Sequence, residues 1–317
     1  MNITYYEGDT VQAIATEKLA DYLAMEQGTL WIDITAPDDD DVAILRDVCG
    51  FHPLAIEDTR NQEQRPKAEE YSDHLFIIVN SVHLEAQGDD RFRELDVFVG
   101  RNYVVSVHAV AEPLLDRVRA RLQPGRVSVA MSSAHILYTL LDEVVDQYLP
   151  LLERIEDELD ALAGKVFTAP GRHILSRLFK LQQTLSDIGR VLGPKRDVLN
   201  VLMNHQLMFI DTNHRYYLRD VSDHLLRATD MLRTLRESVT SLLNLYLSAV
   251  SFRLNRDVNR LTLLAVIVGI MTVISGFYGM NFEKTWPPFS AWWSVPLVMV
   301  MMLAAVMYTL YSFRQHR

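Results

Sequence analysis

The sequence predicts an α+β membrane protein: an N-terminal α/β cytoplasmic domain, a helical hairpin, one very long stalk helix and two C-terminal transmembrane helices. Three observations predict it. Residues 261–280 contain no charged side chain, and about 20 apolar residues suffice to cross a bilayer as a helix. A second apolar run fills 291–313, after a short loop with Glu283, Lys284, Pro287 and Pro288. From Lys195 to Val268 there is no Gly or Pro, so nothing punctuates the chain where soluble sequence passes into apolar sequence.

Residues 1–125 read as the α/β domain. Strand candidates rich in Val, Ile, Phe and Tyr lie at 3–6, 29–34, 74–82, 95–99 and 103–108. Pro37 followed by four aspartates, 38–41, marks a helix start, where acidic side chains complement the helix dipole. The run could instead bind a cation, but sequential aspartates scatter around a helix and do not converge, which favours the cap.

From 132 the period becomes helical: Leu137, Leu140, Leu141, Val144, Val145, Tyr148, Leu152, Ile155 and Leu159 share a stripe. The many acids of this helix, Asp142 among them, read as a solvated face. Ala169-Pro170-Gly171 ends it, and a second helix is expected over 172–209, kinked at Pro194. Residues 126–210 thus form an acidic helical hairpin. Domain 211–280 is one helix of ~100 Å, at roughly 1.5 Å per residue, whose end at 261–280 is the first span. Leu225, Leu232 and Val239 repeat at seven, as in helices that need partners. Residues 281–290 form the external loop, 291–313 the second span and 314–317 a cytoplasmic tail.

Arg253, Arg256 and Arg260 precede the first span and Arg314 and Arg317 follow the second, whereas the loop between carries one Lys. The positive-inside rule puts both flanks in the cytoplasm. Tyr278, Trp286, Trp292 and Trp293 cluster around the loop, as interfacial aromatics do. The first residues lack the basic and apolar regions of a signal peptide, so the N-terminal part is expected to stay cytoplasmic. A single cysteine, Cys49, excludes an internal disulfide and a thiolate zinc site. The formal charge of −10 disfavours nucleic acid. No phosphate-binding Gly-x-x-x-x-Gly-Lys motif, His-Glu-x-x-His or Gly-x-Ser-x-Gly is present, so neither a nucleotide cofactor nor an enzyme is expected.

Thr262, Ala265, Gly269, Thr272, Gly276 and Gly279 share one small, mildly polar helix face, which continues inward through Leu261, Val258 and Asn255. Such a face either packs closely on another helix or lines water. Two spans cannot enclose a water-filled path, so a pore needs several subunits around an axis.

Gly279-Met280-Asn281, preceded by Tyr278, followed by Phe282-Glu283 and ending the first of two C-terminal spans, resembles the CorA-type magnesium/cobalt channels. The likeness extends to Trp31-Ile32-Asp33-Ile34, to His52-Pro53-Leu54-Ala55-Ile56-Glu57-Asp58, to Arg65-Pro66-Lys67-Ala68-Glu69, and to the segment from Tyr217 to His224. It implies a homopentameric funnel in a bacterial or archaeal cell membrane, both termini cytoplasmic, with lipid and divalent cations as its other partners. Mg²⁺ would be both the transported and the regulatory ion, with Co²⁺ and Ni²⁺ as further cargo. The resemblance makes Tyr278, Gly279, Met280 and Asn281 the selectivity filter. Asn255, Val258, Leu261, Thr262, Ala265, Gly269, Thr272 and Gly276 would line the pore. Asp58 and Asp220, with Glu57 and Asp142, would bind regulatory Mg²⁺ between subunits. The chain departs from the family pattern at two places: many members carry Met-Pro where it has Gly269-Ile270, and Asn244 stands where some carry an acidic ring. A zinc-transporting branch of the same superfamily and a non-transporting coiled-coil scaffold are the alternatives.

Overall fold

The computed structural model describes residues 1–317 except 63, 84–90, 126–130, 169–170, 205–209, 281–286, 289–290 and 316–317. The chain forms two compact units: residues 1–165 with 171–242, and residues 166–170 with 243–317.

The first unit is built on a seven-stranded sheet of β1 (Asn2–Glu7), β2 (Thr10–Ala13), β3 (Thr29–Thr35), β4 (Lys67–Glu70), β5 (Leu75–Val82), β6 (Phe92–Val99) and β7 (Tyr103–His108), in the order β2-β1-β3-β7-β6-β5-β4. Among the described residues, only β3 and β7 pair in parallel. β3, β5, β6 and β7 are buried along most of their length, because helices cover both faces. The short helices α1 (Leu19–Leu23), α2 (Asp39–Ala43) and α3 (Pro53–Arg60) lie on the face carrying Ile32, Phe76, Ile78, Phe98, Val105 and Val107. After β7 come α4 (Pro113–Arg121) and α5 (Ser133–Asp146), and α5 crosses the sheet over β3, β5, β6 and β7.

The strands at 3–6, 29–34, 74–82, 95–99 and 103–108 are present, each within three residues of its expected ends. The edge strands β2 and β4 had no signal: Thr-Val-Gln-Ala and Lys-Ala-Glu-Glu are polar and exposed or half-buried, so they lack the apolar alternation that marks an inner strand. The aspartate run does cap a helix. Asp38 accepts from the Asp41 amide at 2.8 Å and the Asp41 side chain returns the bond, a capping box on α2.

One correction concerns the acidic helix. It is two helices, α5 and α6 (Tyr148–Thr168), divided at Gln147. Pro150 explains the division, since its ring removes the amide that would bond to the carbonyl at 146. α7 (Arg172–Asn204) runs unbroken through Pro194. α8 is a single helix from Thr212 to Gly279, and α9 spans Ser294–Gln315, starting three residues later than expected.

A buried polar network ties β3, β7 and α4 together. The Ser106 hydroxyl donates to Asp33 Oδ1 at 2.6 Å, His108 Nε2 lies 3.0 Å from the same oxygen, and the Arg119 guanidinium pairs with Asp33 Oδ2. Burial works to raise the Asp33 carboxyl, but these partners hold it below its ordinary range.

Candidate ion path and metal-binding residues

α8 is exposed on all sides from 251 to 262, and from there to Gly279 its half-buried positions are Leu263, Ile267, Ile270, Ile274 and Tyr278. Their spacing of three and four puts them on one face, turned toward the rest of the second unit. At 3.6 residues per turn, Thr262, Ala265, Gly269, Thr272 and Gly276 fall on the opposite side, and all five are exposed. Val258 and Leu261 continue that side and are also exposed, as is Asn255. A Cβ added at Gly269, Gly276 or Gly279 would meet nothing within 4 Å among the described residues. The small residues therefore do not serve contact with the described residues of this chain. Thr262 and Thr272 donate to the carbonyls of Val258 and Val268, at 2.9 and 2.8 Å. Their hydroxyl oxygens keep acceptor capacity for water.

α8 and α9 are the helices long and apolar enough to cross a membrane among the described residues. At the end of the first, Tyr278 is half-buried, while Gly279 and Met280 are exposed. Asn281 lies outside the described residues.

A second set of candidate groups stands in the first unit. Asp142 and Asp146, one turn apart on α5, and His224 on α8 place a carboxylate or ring-nitrogen atom each within 4.8 Å of one another. His224 Nδ1 is 2.8 Å from Asp146 Oδ1, and Arg121 holds Asp142 Oδ2 at 2.8 Å. The Asp142 carboxyl is raised above its ordinary range, chiefly by burial and also by the Asp146 charge. His224 is raised by its bond to Asp146. Two carboxylates and an imidazole suit a divalent cation that keeps some of its water.

Of the four expected regulatory residues, Asp142 alone belongs to this cluster. Asp58 is paired with Lys67 Nζ at 2.7 Å, and Lys67 also reaches Glu69. Glu57 and Asp220 are exposed on α3 and α8. The chain itself thus does not join Asp58 to Asp220. Asp146 and His224 were not singled out as ligands from sequence. Their signal was present in the four-residue spacing of Asp142 and Asp146, but nothing in sequence brings α8 against α5.

Residues 26–314 match the family model described as CorA-like Mg²⁺ transporter protein. The chain belongs to this family. The cobalt/magnesium transport protein CorA of Thermotoga maritima is 33% identical to it over 276 residues, 86% of this chain and 78% of that protein. The zinc transport protein ZntB of Photorhabdus laumondii is 25% identical over 220 residues, 68% of this chain and 66% of that one. The solved structure of the complete CorA magnesium transporter of Methanocaldococcus jannaschii shares the fold, with a TM-score of 0.81 at 24% identity, over 99% of this chain and 98% of the other. The CorA-like proteins are membrane transporters and not enzymes, and the chain has their architecture of a soluble α/β domain, a long helix and two C-terminal apolar helices.

Proposed function

We propose that the chain is one subunit of a homopentameric channel that takes up Mg²⁺, and with it Co²⁺ and Ni²⁺, down the membrane potential. The observation that carries the reading is the unoccupied small-residue side of α8, turned away from the residues that pack within the chain. Around an axis, five copies of this side give rings of Thr272 and Thr262 hydroxyls above apolar rings of Leu261 and Val258. The apolar rings are constrictions able to dewet and close. Asn281, two residues after Gly279 in the sequence, is assigned to the selectivity filter at the outer mouth. An amide ring grips the water shell of a hard, reluctantly dehydrated ion more weakly than a carboxylate ring, and so releases it faster.

The potential suffices as the energy source. A divalent ion gains about 4.6 kcal/mol per 100 mV, twice the single-charge value. At roughly 150 mV that is ~7 kcal/mol, or about 10⁵-fold accumulation. A pore with that driving force needs closing from inside. Cytoplasmic Mg²⁺ bound by the acidic residues of the first unit, including across subunit boundaries at Asp58 and Asp220, supplies the signal. With two arginine-rich flanks around the spans, both termini lie in the cytoplasm.

The test is uptake into proteoliposomes under an imposed potential. Wild type takes up Mg²⁺ and Co²⁺, and Asn281→Ala, still assembled by size, takes up neither. Zn²⁺ uptake with no Mg²⁺ uptake would instead favour the zinc branch. Full uptake by Asn281→Ala would remove the filter role.

A further inference from the structure

The part of α8 just before the apolar run carries a basic stripe that the ion path does not use. Between Glu237 and Glu283 the sequence holds one acidic residue, Asp257, and three basic ones, Arg253, Arg256 and Arg260, in a protein of formal charge −10. The arginines recur at spacings of three and four, which keeps them within about 60° of one another around the helix. Val258, Thr262, Ala265, Gly269, Thr272 and Gly276 fall on the other side, centred roughly 170° away.

Every residue from 251 to 262 is exposed, so no described part of the chain covers the stripe. Arg260 lies 4.0 Å from Asp257, an open pair whose side chains are 65% and 54% exposed. Among the described residues Arg253 and Arg256 pair with no carboxylate. Arg260 stands 19 residues before Gly279, the end of α8, and Arg314 stands 20 residues after Ser294, the start of α9. At 1.5 Å per residue each length is about 30 Å, the thickness of the hydrocarbon core of a bilayer. As consecutive spans crossing in opposite directions, the two helices bring their arginines to one boundary, at the depth of the lipid headgroups.

We propose that Arg253, Arg256 and Arg260 bind the headgroup of an anionic phospholipid in the cytoplasmic leaflet. The guanidinium fork matches a phosphate in two parallel hydrogen bonds, and the arginine stem lies along apolar surface while its head reaches the headgroups. Each basic residue beside a membrane strengthens attraction to an anionic surface about five-fold. Charge complementarity selects the lipid: the stretch is net positive, and a headgroup that carries net negative charge answers it where a zwitterionic one does not. The choice of lipid over a second copy of the chain rests on the small-residue side facing the axis of the proposed channel. The arginines then point away from that axis and from the neighbouring copies.

Electron paramagnetic resonance of spin-labelled lipids tests it, on the full-length protein in phosphatidylcholine vesicles at low salt. Association of spin-labelled phosphatidylglycerol is compared with that of spin-labelled phosphatidylcholine. Wild type is expected to prefer phosphatidylglycerol by about three-fold or more. The triple variant Arg253→Gln, Arg256→Gln, Arg260→Gln is checked for assembly by size and for orientation by protease access, and is expected to lose most of that preference. Arg233→Gln, at an exposed arginine of the same helix in the first unit, keeps it. Should the triple variant not assemble, Arg256→Gln decides, since it leaves no described carboxylate unpaired; its preference is expected to fall about two-fold. Equal preference in wild type and the assembled variant, or an equal loss in Arg233→Gln, would overturn the proposal. So would a triple variant that keeps the preference but separates into single chains, which gives the arginines to contact between copies. Lost Mg²⁺ uptake in Asn281→Ala with the preference intact counts against the channel reading only.

Discussion

Lys195 is the residue whose surroundings are least visible in sequence. It reads there as one more charge on a helix beside a proline, yet it is 2% exposed and buried under the sheet. Its Nζ donates to the Asn80 carbonyl at 2.9 Å and to the Tyr148 hydroxyl at 2.6 Å, and among the described residues no carboxylate pairs with it. Burial therefore drives its pKa well below the ordinary lysine value. A depressed lysine means that the unfolded chain binds the proton and the folded chain does not. Stability then rises with pH up to the unfolded lysine value near 10.5, by as much as about 1.4 kcal/mol per pH unit, and falls as pH drops toward the folded value. Lys195→Met leaves no orphan behind, because the Tyr148 hydroxyl still donates to the Asn80 carbonyl at 3.1 Å. The variant is expected to be at least as stable as wild type at pH 7 and to show a flatter stability–pH curve as pH falls from the unfolded lysine value. Denaturant titrations at several pH values check this, and an unchanged slope would mean that Lys195 is charged in the fold. Asp33 and His108 were equally hidden. Asp33 was visible as part of Trp-Ile-Asp-Ile, but its partners come from β7 and α4, 73 to 86 residues away.

Among the elements, α8 was the most legible and the short edge strands the least. An uninterrupted run without Gly or Pro fixes a helix locally, whereas β2 and β4 exist because a neighbouring strand offers them hydrogen bonds. The division between α5 and α6 was also readable in principle, since Pro150 is in plain view. The periodic leucines on both sides masked it, because a local break need not disturb the apolar stripe. The face assignment of the span has its own test. Single cysteines at Thr272 and Gly276 are expected to react with a water-soluble thiol reagent in the assembled protein and to lose Mg²⁺ uptake. Cysteines at Ile270 and Ile274, on the half-buried face, are expected to resist labelling. Wild-type Cys49 is replaced by alanine beforehand, and its exposure is only intermediate. Reaction at 270 and 274 with none at 272 and 276 would mean that the helix presents its other face to water.

For the molecule as a whole, sequence showed what kinds of residues a metal sensor needs but not which of them meet. Asp142 and Asp146 carry like charges one turn apart, and α8 brings His224 to them. Asp220 lies one helical turn before His224 on the same side of α8. A cation bound here would link α5 to α8, which is a single helix from Thr212 to Gly279. Because the His224 and Asp146 side chains are 38% and 45% exposed, the ion pair between them is weakened by solvent screening, and a metal displaces it at low cost. The ligand set also sets an order among metals. Imidazole favours Co²⁺ and Ni²⁺, whereas Mg²⁺ prefers oxygen and gains little from a nitrogen ligand. Metal is therefore expected to slow proteolysis of α8 in the full-length protein, with Co²⁺ acting at a lower concentration than Mg²⁺. His224→Ala is expected to raise the Co²⁺ needed for half-maximal protection about ten-fold and to move the Mg²⁺ value much less. Asp142→Asn is expected to weaken protection by both. Asp58→Ala with Asp220→Ala separates this cluster from a site between subunits. If that pair alone abolishes protection while His224→Ala changes neither metal, the regulatory ion sits across the subunit boundary and the cluster on α5 is a charged surface that happens to converge.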